Sequence, residues 1–315
     1  MSDSSLVLDG SGSYMRGPDR RGVRPRRRSS TPLYSRPGRI APLDPLELDR
    51  HALAYHVTMR LSDGRGIARN AATLRLAARL FVRHGMQRGL VAFRIADTHA
   101  HVLAASDRRT AGQLALYVES ALRQALRLPA PFEPAHVRPI SDSRHLGSAF
   151  RYVLRQEEHH GTQFDPAHDG SILPDLLGMR FIGAAPLLSR VRALLPRYTR
   201  SELVRAAGMV SFDADSAPVE LALVPDAAAA SLGLGSIHGG SAAHHRARLA
   251  AVHLLGSALS AARAAQLLGL SERSVERLRA RAPECALLEA ARLQLRWRSA
   301  RLTRQRATDW ERLTP

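Results

Sequence analysis

His99 and His101 flank a single alanine at the end of an apolar run, and Tyr152 and Gln156 stand four residues apart some fifty residues later. These residue types can hold a divalent ion and attack a phosphodiester. Leu90–Ile95 and Val102–Ala105 read as β-strands. Side chains alternate faces along a strand, so the two imidazoles point the same way. Arg151 to Gln156 has helical spacing, which stacks Tyr152 and Gln156 on one helix face. Imidazole nitrogens and an amide oxygen suit a divalent ion while leaving positions for phosphate oxygens, and such an ion polarises a scissile phosphate. A tyrosine hydroxyl is a weak nucleophile until it loses its proton, near pH 10 for the free side chain, so a neighbouring cation or base is needed. Attack by Tyr152 would leave a phosphotyrosine that conserves the energy of the broken bond and allows resealing without ATP.

The elements that must position these groups follow from periodicity. Ala52 to Arg60 reads as a strand, and Ala71 to His84 as an amphipathic helix with Leu74, Ala77, Ala78 and Phe81 on one face. Gly85 and Gly89 bracket the turn into the strand Leu90 to Ile95, and the His99–His101 strand follows directly. A helix from about Thr110 to Leu128, punctuation at Pro129, Pro131 and Pro134, and a short strand at His136–Arg138 precede the Tyr152 helix. The order β-α-β-β-α-β predicts an α+β, ferredoxin-like (split βαβ) antiparallel sheet with both helices on one face. The other face would carry the site, covered by the tyrosine helix. His159 and His160 read as a solvated end of that helix.

Composition narrows the partner. The 315 residues carry 46 basic side chains, all arginine, against 28 acids, a formal charge of +18. Such an excess favours a polyanion, and the planar guanidinium fork suits phosphates and guanine edges. The single cysteine, Cys285, excludes an intrachain disulfide and a Cys-based zinc site. With no long apolar run and no signal-like start, the expectation is a cytoplasmic protein without a membrane partner.

The chain divides into four stretches. Residues 1–44, with Arg24–Arg28, read as a disordered basic arm. Residues 45–165 hold the candidate site. Residues 166–241 read as a helical extension, with apolar faces at Leu187, Val191, Leu194 and Leu195 and at Leu203 and Val204. The later part of this stretch, 208–240, reads as an Ala/Gly/Ser-rich connector. Residues 242–304 read as a small all-α helix-turn-helix domain: Ala265 packs where helices approach, Gly269 permits the turn, Ser271 caps the second helix and Val275 anchors it. Arg273, Arg277, Arg279 and Arg281 are its candidate DNA contacts. Trp297, in the last helix, reads as a packing anchor.

Residues 45–165 resemble the IS200-like single-tyrosine HUH transposases, especially the branch associated with palindromic repeats. The resemblance rests on Tyr55-His56-Val57-Thr58-Met59-Arg60 as a first strand, His99-Ala100-His101 on a central strand, and Tyr152 on a late helix with Gln156 four residues on. Ala96-Asp97-Thr98 stands where the family often has Met-Pro-Asn, and Gln156-Glu157-Glu158 where it often has Asn-Pro-Val. The C-terminal unit is loosely similar to the DNA-binding domain of bacterial replication initiators. The resemblance implies a transposase that nicks and rejoins hairpin-containing single-stranded DNA through a 5′-phosphotyrosine. Tyr152 would be the nucleophile, His99, His101 and Gln156 would hold Mg²⁺ or Mn²⁺, and the protein would act as a monomer or homodimer. Two alternatives stand beside it: a domesticated, non-catalytic DNA-binding regulator, and a metal-dependent hydrolase without a covalent intermediate.

Overall fold

The computed structural model of the chain describes residues 49–96, 98–156, 164–182, 186–206 and 219–313. The arm expected over 1–44, and His159 and His160, lie outside them. Contacts divide the chain between Leu43 and Asp44, so every described residue belongs to one compact unit.

Its fold is α+β. Four strands, β1 (Ala54–Arg60), β2 (Leu90–Ile95), β3 (His99–Ala104) and β4 (His136–Ile140), form one sheet in the order β2-β3-β1-β4, with every neighbouring pair antiparallel. Helix α1 (Ala71–Gly85) links β1 to β2, α2 (Arg108–Leu126) links β3 to β4, and α3 (Ser143–Leu154) follows β4. Local chemistry sets the boundaries. Asn70 accepts from the Thr73 amide while the Thr73 hydroxyl accepts from the Asn70 amide, a reciprocal cap on α1. Asp107 and Asp142 cap α2 and α3 through the amides of Thr110 and His145. Gly89 makes the turn into β2 at φ 76°, where a Cβ would also strike the Ala105 carbonyl.

The two faces of the sheet differ. Val57 lies opposite Val102 on β3, and Phe93 on β2 lies opposite Val102 from the other side, so these three share one face. Phe81 of α1 stacks on Phe93 with ring centroids 4.8 Å apart, and α2 packs against α1, β1 and β4. This face is the apolar core. The opposite face carries the histidines and is taken up below.

After α3 the chain is helical: α4 (Leu173–Leu176), α5 (Pro186–Leu194), α6 (Arg200–Ala206), α7 (Val224–Ala230), α8 (Ala242–Leu255), α9 (Ala261–Leu268), α10 (Glu272–Arg279) and α11 (Cys285–Leu313). Leu187, Val191, Leu195 and Leu203 are buried, as their spacing predicts. The stretch read as a connector differs from its reading. Within it, Val224 and Ala227–Ala230 are fully buried in α7, against α8 and α11. Alanine-rich sequence suits a linker and a close helix contact alike, and here small side chains let helices approach. No described helix is long and apolar enough to cross a membrane.

A ring of charge ties the sheet half to the helical half. Arg75 on α1, fully buried, donates through Nε to Asp169 at 2.9 Å and pairs through Nη2 with Asp226 at 2.7 Å. Arg298 on α11 reaches the same two carboxylates at 3.0 and 2.9 Å. Burial alone would raise the Asp169 carboxyl, but Arg298 and Arg75 outweigh it and hold it below its ordinary value. Trp297 completes the join as a buried anchor, its Nε1 donating to Asp165 at 3.1 Å. Truncating Arg75 to alanine leaves two carboxylates on one arginine and should cost about 3 kcal/mol in denaturant unfolding. A loss below about 1 kcal/mol, the range of exposed pairs, would mean the ring does not hold the halves together.

Candidate functional site

The β1–β3 register sets Thr58 opposite His101 and Arg60 opposite His99, so His56, Thr58, Arg60, His99 and His101 share the second face. Arg94 on β2 lies opposite His101 and joins them. Helix α3 packs over this face on β2 and β3, and Arg94, almost fully buried, donates to the Leu154 carbonyl at 3.1 Å. Burial pushes the Arg94 guanidinium down to about 9, still charged at neutral pH. Leu146, Gly147, Phe150, Val153 and Leu154 form the buried stripe of α3. Tyr152 sits half-buried beside that stripe, where its ring can reach the histidines.

The four sequence candidates converge. The His99 and His101 rings meet edge to face with centroids 4.6 Å apart. The Tyr152 ring stands edge-on to His101 at 5.3 Å. The regular run of α3 ends at Leu154, and Gln156, buried just beyond it, donates its Nε2 hydrogen to the Tyr152 hydroxyl oxygen at 3.3 Å.

One member was not a candidate. His56 stacks on His101 with centroids 5.1 Å apart, stands edge-on to Tyr152 at 5.9 Å, and places its Nε2 3.0 Å from His101 Nδ1. The Thr58 hydroxyl is 3.4 Å from the same nitrogen, and the Thr98 hydroxyl is 3.2 Å from His99 Nδ1. Each histidine of the pair thus engages Nδ1 with a neighbouring side chain, and where that nitrogen is the donor Nε2 is the one able to ligate. Two imidazole nitrogens and an amide oxygen, from His99, His101 and Gln156, are donor types that a divalent ion such as Mn²⁺ or Mg²⁺ can take. Among the described residues, no group of three or more His, Cys, Asp or Glu is arranged to hold a metal ion.

Burial, then Arg138 and His145, push the His56 imidazole down to about 4. His168 is likewise pushed down to about 4, by burial first and then by Arg94.

The arginines assigned to DNA divide. Arg273 and Arg277 are exposed on α10. Arg279 is half-buried and turns inward, donating to the carbonyls of Gly256 at 3.0 Å and Leu259 at 2.6 Å. Arg281 is exposed but engages His245 Nε2 at 3.1 Å, and its carbonyl is 2.8 Å from His253 Nε2. Comparison of the chain with protein-family models, curated proteins and solved structures finds no match.

A histidine held neutral by the fold makes the native state sensitive to acid. The unfolded chain takes up the His56 proton near the ordinary 6.5, the native state only near 4, so stability falls as pH drops through that window. His56→Gln should flatten this part of the curve of Tm against pH. An unchanged slope would mean that His56 titrates normally in the fold.

Proposed function

We propose that this chain is a DNA transposase of the single-tyrosine HUH kind, a single-strand endonuclease that nicks and rejoins hairpin-containing DNA through a 5′-phosphotyrosine. The observation that carries the reading is the convergence of His99, His101, Tyr152 and Gln156: the Tyr152 ring stands edge-on to His101, His101 meets His99, and the Gln156 amide donates to the Tyr152 hydroxyl. The strand order, with α1 and α2 packed together against the apolar face, supports the ferredoxin-like (split βαβ) reading of the sheet. The α9–α10 pair supports the helix-turn-helix reading: Gly269 turns at φ 62°, Ser271 accepts from the Ser274 amide, and Ala265 and Val275 are buried between the helices.

The residues have separate tasks. Tyr152 Oη forms a bond to the scissile phosphorus as the bond to the 3′ oxygen breaks; the phenol gives up one proton and the leaving oxygen takes one up, so the step is neutral in protons. The Gln156 amide donates to Oη and thereby orients it. His99, His101 and Gln156 would hold Mn²⁺ or Mg²⁺, and the ion supplies Lewis-acid stabilisation of charge on the phosphate oxygens. Arg94 holds the end of the tyrosine helix against the histidine strand. The formal charge of +18 favours the polyanionic substrate.

Two experiments test this reading. Tyr152→Phe should leave the fold and hairpin binding intact while abolishing the covalent protein–DNA adduct on a labelled hairpin oligonucleotide. Cleavage without any adduct in the wild-type protein would favour the hydrolase, and no cleavage with Mn²⁺ present would favour the binding regulator. Arg273→Ala with Arg277→Ala should weaken binding and lower the slope of log affinity against log salt by about 0.7 to 0.9 per lost phosphate contact, with the single-turnover rate at saturation unchanged. An unaltered slope would make α10 a structural element.

A further inference from the structure

We propose that His56 is a positioning residue that holds His101 in the tautomer protonated on Nδ1, so that His101 presents Nε2 to a divalent ion. The inference rests on the metal reading given above and extends it to a strand that contributes no ligand. The geometry that carries it is the contact of His56 Nε2 with His101 Nδ1 at 3.0 Å, supported by ring stacking at a centroid separation of 5.1 Å. An imidazole is neutral as a ligand and carries one proton, so the nitrogen that donates to a neighbour decides which nitrogen can ligate. Two arrangements satisfy the contact. If His56 Nε2–H donated, His101 would carry its proton on Nε2 and could not ligate through that atom. If His101 Nδ1–H donates, His56 Nε2 accepts and His101 Nε2 holds the lone pair. The Thr58 hydroxyl, 3.4 Å from His101 Nδ1, is compatible with both, since a hydroxyl donates or accepts; we take the second, in which His101 Nε2 can ligate.

Backbone register explains why His56 can do this. Thr58 is the direct cross-strand partner of His101, and His56 is its diagonal neighbour on the same face, within reach of a long or aromatic side chain. The ring of His56 therefore leans along β1 toward His101. His99 obtains the corresponding restraint locally, from Thr98 at 3.2 Å. The two ligands are thus oriented by different means, one by its sequence neighbour and one by the adjacent strand.

The test uses the full chain and two variants. Glutamine places an amide group near the position of histidine Nε2 and can still accept, whereas leucine cannot. Mn²⁺ affinity, read from the free-ion electron paramagnetic resonance signal, should fall about ten- to a hundredfold in His56→Leu and stay within about threefold of wild type in His56→Gln. Long-range ¹H–¹⁵N spectra of the metal-free wild-type protein, with His101 assigned by its loss in His101→Gln, should show the proton on Nδ1. A proton found on Nε2 overturns the proposal, as does wild-type Mn²⁺ affinity in a His56→Leu protein whose melting remains cooperative. A wild-type protein that binds no Mn²⁺ overturns the metal reading itself, and this proposal with it. The spectrum needs no metal, so the two failures are told apart.

Discussion

Thr58 faces His101 and Met59 faces Ala100 across the β1–β3 pair, and nearly everything else in the structure depends on that register. The side-chain period of a strand is two, so a slip of one residue would turn Val57, Met59 and Tyr55 out of the core and drive His56, Thr58 and Arg60 into it. Val57, Met59, Val102 and Ala100 are all essentially inaccessible, and the cost of exposing them fixes the pairing. The apolar face, packed on α1 and α2, thereby specifies the polar one. The histidine cluster needs no stabilising contribution of its own to be placed, and that leaves its geometry to be set by chemistry.

The histidine face lies near buried positive charge, which the structure handles in two ways. Arg75 is matched by Asp169 and Asp226, with Arg298 closing the ring, so the buried charge of Arg75 is neutralised by a buried carboxylate and a partly exposed one. Arg94 instead is spent on a carbonyl at the C-terminal end of α3, where the helix dipole favours a cation. A lysine would serve less well in either place, because only a guanidinium can spread its donors over two carboxylates or keep its charge when desolvated. The arginine-only composition, whatever its origin, supplies a residue suited to these joints as well as to phosphate.

Much of this was legible in the sequence, and the exceptions share a cause. Periodicity located β1 to β4, α1 and α2 to within a few residues, the two helices each having an apolar side and a side-chain cap, whereas only the end of α3 was read, from Arg151 onward, and not its start at Ser143. The proximity of His99, His101, Tyr152 and Gln156 was readable from spacing on a strand and a helix. What spacing cannot give is the neighbour across a strand pair: His56 is 45 residues from His101, and only the register reveals their contact. The same holds for Arg75, 159 residues from the Leu234 carbonyl it bonds, and for Arg279, whose inward turn toward Gly256 and Leu259 removes it from the outer face of α10. Residues 224–230 read differently for another reason, since a run of alanines carries little amphipathic signal even where, as at Ala227–Ala230, it is buried.

The position of Tyr152 on α3 follows from these constraints together. Phe150 and Val153 must face the sheet, and α3 advances about 100° per residue; Tyr152 therefore lies at the margin of the buried stripe, neither in the core nor in open solvent. A residue at that margin keeps its ring against His101 and His56 while its hydroxyl meets the Gln156 amide. One step along the helix, Arg151 is exposed and points to the Tyr198 hydroxyl at 3.2 Å; one step the other way, Val153 is fully buried. Only the intermediate azimuth brings a phenol to the histidines and still leaves its ring half-exposed, so the helix packing selects which side chain of α3 meets them.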